Sequence, residues 1–196
     1  MKIVFFDTET NGLSKKNSVL SISAIKCDFI NDNGIITEKS YEEYNRFYYR
    51  QSGEEEGKEA ININGLTCDV IKTLRAEATY PLYFRDDMDS FKLFCKGSQR
   101  FAGHNISYDR QYISFRLGRT FCTMKSNLEI MQLKRKNGAL KFPSLTEAAS
   151  FYSIQTKKEK LHESMYDTWL VYMIFKKMLE SNNPLIKEKA FNFLFL

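Results

Sequence analysis

The amino-acid sequence predicts an α/β domain built around a mixed β-sheet. Three strand-like segments stand at the start of the chain, and helical and strand-like segments alternate after them. That order favours helices packed on a sheet over an all-helical or an all-strand protein. The 196 residues are enough for one sizeable hydrophobic core, and the hydrophobic (43%) and charged (27%) fractions are typical of a globular protein.

Five segments have the composition of β-strands. KIVFFD is apolar without alternation, which is typical of a strand buried on both faces. The second segment alternates polar and apolar residues, and the turn-like NDNG after it predicts a hairpin with the third. In chain order the expected strands cover residues 2–7, 18–29, 36–49, 99–105 and 119–124.

Helical signals dominate the rest of the chain, after a polar loop over residues 50–60. One segment begins with acids and ends on Gly97, and Ser144 and Glu147 have the spacing of a capping box. Pro184 opens a last amphipathic segment. The expected helices cover residues 67–74, 86–97, 107–118, 144–152, 165–181 and 184–196.

The cysteines and the longest apolar run argue against a disulfide-rich protein and a membrane-spanning one. The net charge of +5 is compatible with a polyanionic partner but does not require one. The four cysteines are far apart and form no C-x-x-C pair, which favours reduced, buried side chains in a cytoplasmic protein. The longest apolar run, WLVYMIF, is too short to span a bilayer, so no membrane partner is expected.

The first strand runs into two acids that are one residue apart, in the stretch FFDTETNGL. Because side chains alternate along a strand, Asp7 and Glu9 point to the same face. Two neighbouring carboxylates repel each other and are costly to keep ionised in a partly buried place. A cation between them, or full exposure to solvent, would relieve that cost.

Three more residues beside predicted helices extend this pattern. Asp109 lies one turn into the helix after the fourth strand, and Asp167 lies in the first turns of the long helix. His162 precedes that helix, and from a loop it could approach the same point as Asp167. Four converging carboxylates would form a hard oxygen site suited to Mg²⁺ or Mn²⁺.

In this order the motifs resemble those of the DEDDh (DnaQ-like) family of 3′–5′ exonucleases in the ribonuclease H-like superfamily. The pattern D-x-E, N-x-x-x-D and H-x-x-x-x-D is carried by FDTETNGL, GHNISYD and HESMYDT. INGLT, FCTM and KFPSLTEAASFY are similar to the intervening segments. The family often has Thr in place of Asn11, His in place of Asn64, and Ala in place of Ser164 and Thr168; no departure removes an acid or the histidine.

The resemblance implies a ribonuclease H-like fold, with a central mixed five-stranded sheet flanked by helices. It implies a single exonuclease domain over residues 1–196, with a core (1–180) and a C-terminal helix (184–196). The implied activity is metal-dependent hydrolysis of phosphodiester bonds from the 3′ end of DNA, which releases nucleoside 5′-monophosphates and serves repair or proofreading. The implied cofactors are two Mg²⁺ (or Mn²⁺), and the implied partner is nucleic acid with a free 3′ end.

The resemblance also implies a role for each site residue. Asp7 would bridge both ions, Glu9 and Asp167 would help hold the ion that bears the attacking water, and Asp109 would support the second ion. His162 would be the base and not a metal ligand, since imidazole accepts a proton near neutral pH. The predicted catalytic residues are therefore His162, Asp7, Glu9, Asp109 and Asp167, and the last four are the predicted metal ligands.

By the same resemblance, the end of the first strand and the NGLT segment would grip the terminal sugar and wedge against its base. Leu13 and Leu66 fit core positions equally well. The predicted substrate-binding residues are Thr8, Thr10, Leu13, Asn64, Gly65, Leu66, Thr67 and Asn105.

Two alternatives remain open from the sequence. The same acids would serve an RNA 3′-end trimming exoribonuclease, because discrimination depends on contacts to the 2′-hydroxyl. The second alternative is a non-catalytic binding subunit associated with a DNA polymerase. The four acids argue against that alternative, since a binding module has no need to bring carboxylates together.

Overall fold

A computed structural model describes residues 1–196 as a five-stranded mixed sheet with helices packed on both faces. The sheet has the strand order β3-β2-β1-β4-β5. The first three strands form an antiparallel meander, and β4 and β5 run parallel to β1. The strands are β1 (Lys2–Thr10), β2 (Val19–Asp32), β3 (Ile35–Phe47), β4 (Arg100–Gly103) and β5 (Arg119–Cys122). The mixed five-stranded sheet expected from the sequence is confirmed.

Nine α-helices complete the fold. The helices are α1 (Lys58–Asn64), α2 (Cys68–Leu74), α3 (Met88–Phe94), α4 (Ile106–Asp109), α5 (Thr123–Ser126), α6 (Leu128–Met131), α7 (Leu145–Phe151), α8 (Ser164–Leu179) and α9 (Pro184–Phe195). The Ser144–Glu147 capping box at the start of α7 is present in both directions, as the sequence predicts. None of these helices has the length and the apolar character needed to cross a membrane.

The central strand β1 separates two hydrophobic cores because its side chains alternate between the faces of the sheet. Phe5 lies in the core with α8 and contacts Tyr172 and Phe175 edge to face. Phe6 lies in the opposite core and packs near Phe91 of α3. Asp7 and Glu9 continue the row of Phe5, so they face the side of the sheet that α8 covers.

The parallel pairing of β1 and β4 determines where the polar residues gather. Phe5 is in register with Ala102, so the two strands approach the same edge of the sheet with their carboxyl ends. Residues that follow β4 therefore emerge beside the end of β1. The helix α4 begins there, directly after Asn105, which has a left-handed backbone (φ 66°).

The last helix packs back on the domain. Phe193 of α9 contacts Phe121 of β5 and Phe175 of α8, and Leu194 is fully buried. The apolar end of the chain therefore belongs to the core that α8 forms.

Three sequence-based expectations about helices are wrong in part. The predicted helix over 107–118 ends at Asp109 and is followed by a 3₁₀ turn over Arg110–Tyr112. Apolar and polar residues alternate after that turn. Ile113, Phe115 and Leu117 all pack into the core with Phe6, and such a spacing of two is typical of extended backbone. Part of the predicted polar loop is helical, since α1 starts at Lys58, and neither α5 nor α6 is predicted from the sequence.

Candidate active site

Two of the predicted acids lie side by side on β1. Asp7 pairs with Ser23 and Glu9 with Ser21 in the antiparallel register with β2. Directly opposite residues on antiparallel strands have their side chains on the same face. The two carboxylates are partly buried, and their strand neighbours on that face are small serines that leave room above the sheet.

The third acid reaches this place from α4. Asp109 is only 3% exposed, and its Oδ1 accepts hydrogen bonds from the backbone N–H of Thr8 (3.0 Å) and from the Thr8 hydroxyl (2.8 Å). These bonds join residues 101 positions apart in the chain. They leave Oδ2 of Asp109 free of protein donors.

The fourth acid and the histidine come from the start of α8. Asp167 is 8% exposed, and its Oδ2 accepts the backbone N–H of His162 at 3.2 Å. His162 lies in the turn before the helix with a positive φ of 67°, which is uncommon for a residue other than glycine. Its side chain is exposed. The histidine thus lies in a loop, and from a loop it can approach the same point as Asp167.

The predicted site residues converge. Glu9, His162 and Asp167 each offer a ligand atom, and these atoms lie within 4.8 Å of one another. Asp7 lies close enough to the other three acids that each of them raises its pKa. Among those three acids, Asp109 has the largest effect on the pKa of Asp7.

The electrostatics of this group are those of crowded, poorly hydrated carboxylates. Burial raises the pKa of Asp7 well above its usual value, and the neighbouring acids raise it further. Burial, followed by the charge of Asp167, raises the pKa of Glu9 to about 8. Burial alone accounts for most of the rise to about 7 for Asp109 and to about 6 for Asp167.

The donor set fits divalent metal ions. No lysine or arginine forms an ion pair with any of the four acids. Oδ1 of Asp167 is buried and has no hydrogen-bond partner in the protein, which is rare for such an atom. Carboxylate oxygens are the preferred ligands of Mg²⁺ and Mn²⁺, so bound cations would satisfy this atom and relieve the repulsion.

A cluster of buried hydroxyls holds α8 against the sheet below the acids. Ser164 Oγ lies 2.9 Å from Ser21 Oγ and 2.6 Å from Ser23 Oγ, and Thr168 donates to the Ser23 carbonyl at 3.2 Å. The sequence analysis did not identify these serines as site residues. Their alternation with Ile22 in β2 was visible, but nothing in the sequence connects them with Ser164.

Two of the predicted substrate-binding threonines have internal partners. Both Thr8 and Thr10 are buried. Thr8 donates the two hydrogen bonds to Asp109 described above. The Thr10 hydroxyl donates a hydrogen bond to the Gly12 carbonyl (2.8 Å) and forms another with the Tyr108 hydroxyl (2.7 Å). Their side chains therefore position neighbouring residues of the site.

The other predicted substrate-binding residues differ in their exposure and in their contacts. Asn64 donates to the Thr10 carbonyl (3.2 Å), and the proximity of its polar side chain to Glu9 lowers the pKa of that acid, against the larger rise that burial causes. Leu13 is 85% exposed, whereas Leu66 is buried against Leu20 and Ile71. Gly65 ends α1 with a left-handed backbone, Thr67 caps α2, and Asn105 is exposed at the start of α4.

A cleft of about 440 Å³ adjoins His162 on the side of β3. Asn64 and Leu66 line it, together with Asn45 and the apolar side chain of Val70. The cleft combines apolar walls with a few polar groups, as small-molecule sites usually do.

A buried amide ties the loop before α1 to the end of β1. Asn11 donates to Glu54 Oε1 and to the Glu55 carbonyl (both 2.8 Å) and accepts the Gly57 N–H at 2.9 Å. A Cβ at Gly57 would lie 1.8 Å from the Asn11 carbonyl oxygen, so only glycine fits there. This contact brings α1, and with it Asn64, to the acids.

Comparison with known families agrees with this geometry. The RNase_T family model, described as an exonuclease, matches residues 4–175. The chain belongs to this exonuclease family. The match to the RNase_T exonucleases confirms the DnaQ-like resemblance inferred from the motifs, and a domain of this kind implies divalent metal ions.

Solved exonuclease structures share the fold of this RNase_T exonuclease. Exonuclease X in complex with 5′-overhanging duplex DNA has a TM-score of 0.58 at 18% identity, over 96% of this chain and 99% of that one. Exonuclease I from Methylocaldum szegediense has a TM-score of 0.68 at 15% identity, over 97% of this chain. This chain spans only 44% of that Exonuclease I.

An RNA-directed structure is similar as well. A 3′-exonuclease that recognises the histone mRNA stem-loop has a TM-score of 0.58 at 13% identity, over 92% of this chain and 82% of that one. These identities are low and show the fold alone. No curated protein matches the chain by sequence.

Proposed function

We propose that this RNase_T exonuclease is a metal-dependent enzyme that hydrolyses phosphodiester bonds from the 3′ end of DNA and releases nucleoside 5′-monophosphates. The observation that carries the proposal is the convergence of Glu9, His162 and Asp167 within 4.8 Å, beside two further acids. None of these acids has a cationic partner in the protein, so the group favours a cation-assisted reaction over a structural role.

The acids would divide the task of holding the metal. Asp7, between the other three, would contact both of two Mg²⁺ or Mn²⁺ ions, and Glu9 and Asp167 would hold one of them. Asp109, oriented by Thr8, would support the other. When bound, such ions neutralise charge on the phosphoryl group and favour ionisation of an attacking water.

His162 would take the proton from the attacking water. Its exposed side chain stands at the edge of the acid cluster, and its backbone is bonded to Asp167. A neutral imidazole can accept a proton near pH 7, and a lysine normally cannot. The absence of any lysine or arginine ion pair with the acids leaves His162 as the residue best suited to be the base.

Residues around the acids would bind the terminal nucleotide. The exposed Leu13 and Asn105 and the NGLT segment, Asn64 to Thr67, would contact its sugar and base. Asn64 and Leu66 of that segment line the cleft beside His162. We infer that Asn64 orients Glu9 while the cleft next to it receives part of the nucleotide. Thr8 and Thr10 would act through the residues that they hold.

DNA is the substrate that we favour. Exonuclease X, solved with 5′-overhanging duplex DNA, is similar over 96% of this chain and 99% of its own, and Exonuclease I from E. coli is also similar, in complex with a 5cy-dT13 oligonucleotide. The similarity to the histone mRNA 3′-exonuclease keeps RNA as the second candidate. A role in DNA repair or proofreading, with a DNA polymerase as partner, would follow from the first choice.

The test uses DNA and RNA single strands of matched sequence, labelled at either end, with Mg²⁺ or with EDTA. The proposal expects a ladder from the 5′-labelled DNA, immediate release of labelled mononucleotide from the 3′-labelled DNA, and no product in EDTA. Faster degradation of RNA would favour the second candidate. Cleavage that starts within the strand or that persists in EDTA would contradict the proposal.

Co-purification distinguishes a proofreading subunit from an independent enzyme. A subunit would elute with polymerase activity in size-exclusion chromatography, whereas an independent enzyme would elute near its own mass. If the purified chain degrades no substrate and still binds DNA, the non-catalytic subunit becomes the better description.

A further inference from the structure

Residues 133–141 form an exposed hairpin, here called the basic hairpin. Lys141 N–H donates to the Leu133 carbonyl (2.7 Å) and Arg135 N–H donates to the Ala139 carbonyl (2.8 Å). Gly138 closes the turn with a φ of 82°, a conformation that glycine adopts at little cost. The hairpin is therefore a defined element and not an irregular loop.

The charge of this hairpin is entirely positive. Residues 130–146 contain four basic residues and no acid. Lys141 pairs with Glu147 of α7, but the three exposed cations at the tip take part in no ion pair. Those three residues are Lys134, Arg135 and Lys136. Adjacent unpaired cations repel each other, so a polyanion bound across them would be stabilised.

Apolar surface accompanies these charges. Leu140 is 46% exposed and Phe142 is 41% exposed, both on the strand that returns from the turn. Cations together with an exposed aromatic ring are the combination that binds single-stranded nucleic acid, because phosphates contact the cations and bases stack on the ring.

The base of the hairpin is tied to the segment that carries an active-site acid. The Pro143 carbonyl accepts a hydrogen bond from His104 Nε2 (3.0 Å). His104 directly precedes Asn105 at the start of α4, the helix of Asp109. On the same helix, Ser107 lies 3.4 Å from the ammonium group of Lys125. A further cation, Lys125, thus lies beside α4.

We propose that the basic hairpin binds the phosphodiester backbone of the substrate strand, on the 5′ side of the bond that is cleaved. This inference rests on the proposed function, because only a strand whose 3′ end lies at the acids would run past α4. It adds a binding surface outside the active site. Short substrates would not reach it, and long ones would gain affinity.

The variant K134A/R135A/K136A tests the proposal, and K92A/K96A/R116A is its control. The control residues are also exposed and without ion pairs, but they surround a cleft at the opposite end of β4. Both variants remove three positive charges, so a general loss of charge affects them equally. Thermal melting of each variant shows whether it is folded.

The first measurement is the binding of a labelled DNA strand of about 20 nucleotides in EDTA, by fluorescence anisotropy at several salt concentrations. Each lost phosphate contact should reduce the slope of log K against log salt by about 0.7, or about 2 for three contacts. We expect affinity at low salt to fall at least about tenfold in the hairpin variant and much less in the control. Equal effects in both variants would overturn the proposal.

The second measurement compares the hydrolysis of a long strand with that of a substrate too small to reach the hairpin. We expect the hairpin variant to have a raised KM for the long strand, an unchanged kcat, and normal hydrolysis of the p-nitrophenyl ester of thymidine 5′-monophosphate. A folded hairpin variant that loses ester hydrolysis would contradict the proposal. If the unaltered protein hydrolyses nothing, the proposed function fails, while the binding data still decide on the hairpin.

Discussion

The Ser164 hydroxyl in the first turn of α8 lies 2.6 Å from the Ser23 hydroxyl of β2, although 141 residues separate them. Ser23 is the strand partner of Asp7, and Ser164 lies one helical turn before Asp167. Together with the Ser164–Ser21 and Thr168–Ser23 hydrogen bonds, this buried contact therefore sets the separation between α8, which carries Asp167, and the strand that pairs with Asp7. Both hydroxyls are nearly inaccessible to solvent, so no water competes for the contact.

Enlarging Ser164 should displace the helix from the strand. We expect Ser164→Val to reduce kcat at least about tenfold and to shift the Mg²⁺ dependence of the reaction to higher concentrations, because the acids move apart. Ser164→Ala removes hydrogen bonds without adding volume and should cost about 1 kcal/mol of stability with little change in the Mg²⁺ dependence. The measurements are Mg²⁺ titrations of activity and urea unfolding.

Ser150→Val, at an exposed position of α7, is the matched control for Ser164→Val. It introduces the same side chain on a helix away from the acids and should leave the Mg²⁺ dependence unchanged. A Ser164→Val protein with wild-type Mg²⁺ dependence would show that the contact does not position the acids.

The acids could be predicted from the sequence, and the contacts that hold them could not. Asp7 and Glu9 follow from strand alternation, and Asp109 and Asp167 follow from ordered motifs beside helices. Ser164 has no comparable signal, because serine is common and its partners lie more than 140 residues away. Such contacts depend on the packed arrangement of the sheet and α8.

The errors in the helices have similar causes. The predicted loop over residues 50–60 is polar and contains glycines, but its last three residues begin α1, whose start at Gly57 is held by the buried Asn11. The end of the predicted helix over 107–118 does not have the periodicity of a helix. Ile113, Phe115 and Leu117 alternate with polar residues, which indicates extended backbone rather than a helix.

Replacement of the histidine tests its assignment as the base. We expect His162→Ala to lower kcat by about 10²- to 10⁴-fold, since proton transfer by a side chain contributes that much. Binding of DNA and of Mg²⁺ should remain, because the acids are intact. Glu159→Ala, in the same loop and exposed, is the control. Unchanged turnover of His162→Ala would rule out the assignment, and loss of Mg²⁺ binding would indicate a ligand instead of a base.

Removal of one acid should stabilise the metal-free protein. Four carboxylates share a poorly hydrated place, so Asp7→Asn relieves repulsion and should raise the free energy of unfolding in EDTA by roughly 1–3 kcal/mol. Excess Mg²⁺ should stabilise the wild type and leave the variant nearly unchanged, because only the wild type binds it well. Urea unfolding in both conditions measures the effect.

Asp32→Asn, at the exposed last residue of β2, is the control for charge alone. It removes the same charge and should change stability little in either condition. If Asp7→Asn is less stable than the wild type in EDTA, the acids are not mutually repulsive in the folded protein.

The half-buried histidine directly after β4, His104, predicts a pH dependence of stability that does not involve the acids. His104 lies between the Thr123 hydroxyl and the Pro143 carbonyl, both 3.0 Å from its ring nitrogens. Burial is the main cause that lowers its pKa to about 4. The unfolded chain binds a proton at this residue near pH 6.5, so acid favours unfolding.

The sign and size of the effect follow from the two pKa values. At pH 7 His104 is mostly neutral in both states and contributes little pH dependence, whereas between about pH 6.5 and pH 4 mainly the unfolded state gains the proton. His104→Gln does not titrate and can still donate to Pro143. Relative to this variant, the wild type should therefore lose up to about 3 kcal/mol of stability between pH 7 and pH 4. The acids of the site titrate in both proteins and cancel in the difference. Urea unfolding at several pH values measures it, and a difference that stays constant with pH would mean that His104 is protonated as readily in the folded protein as in the unfolded chain.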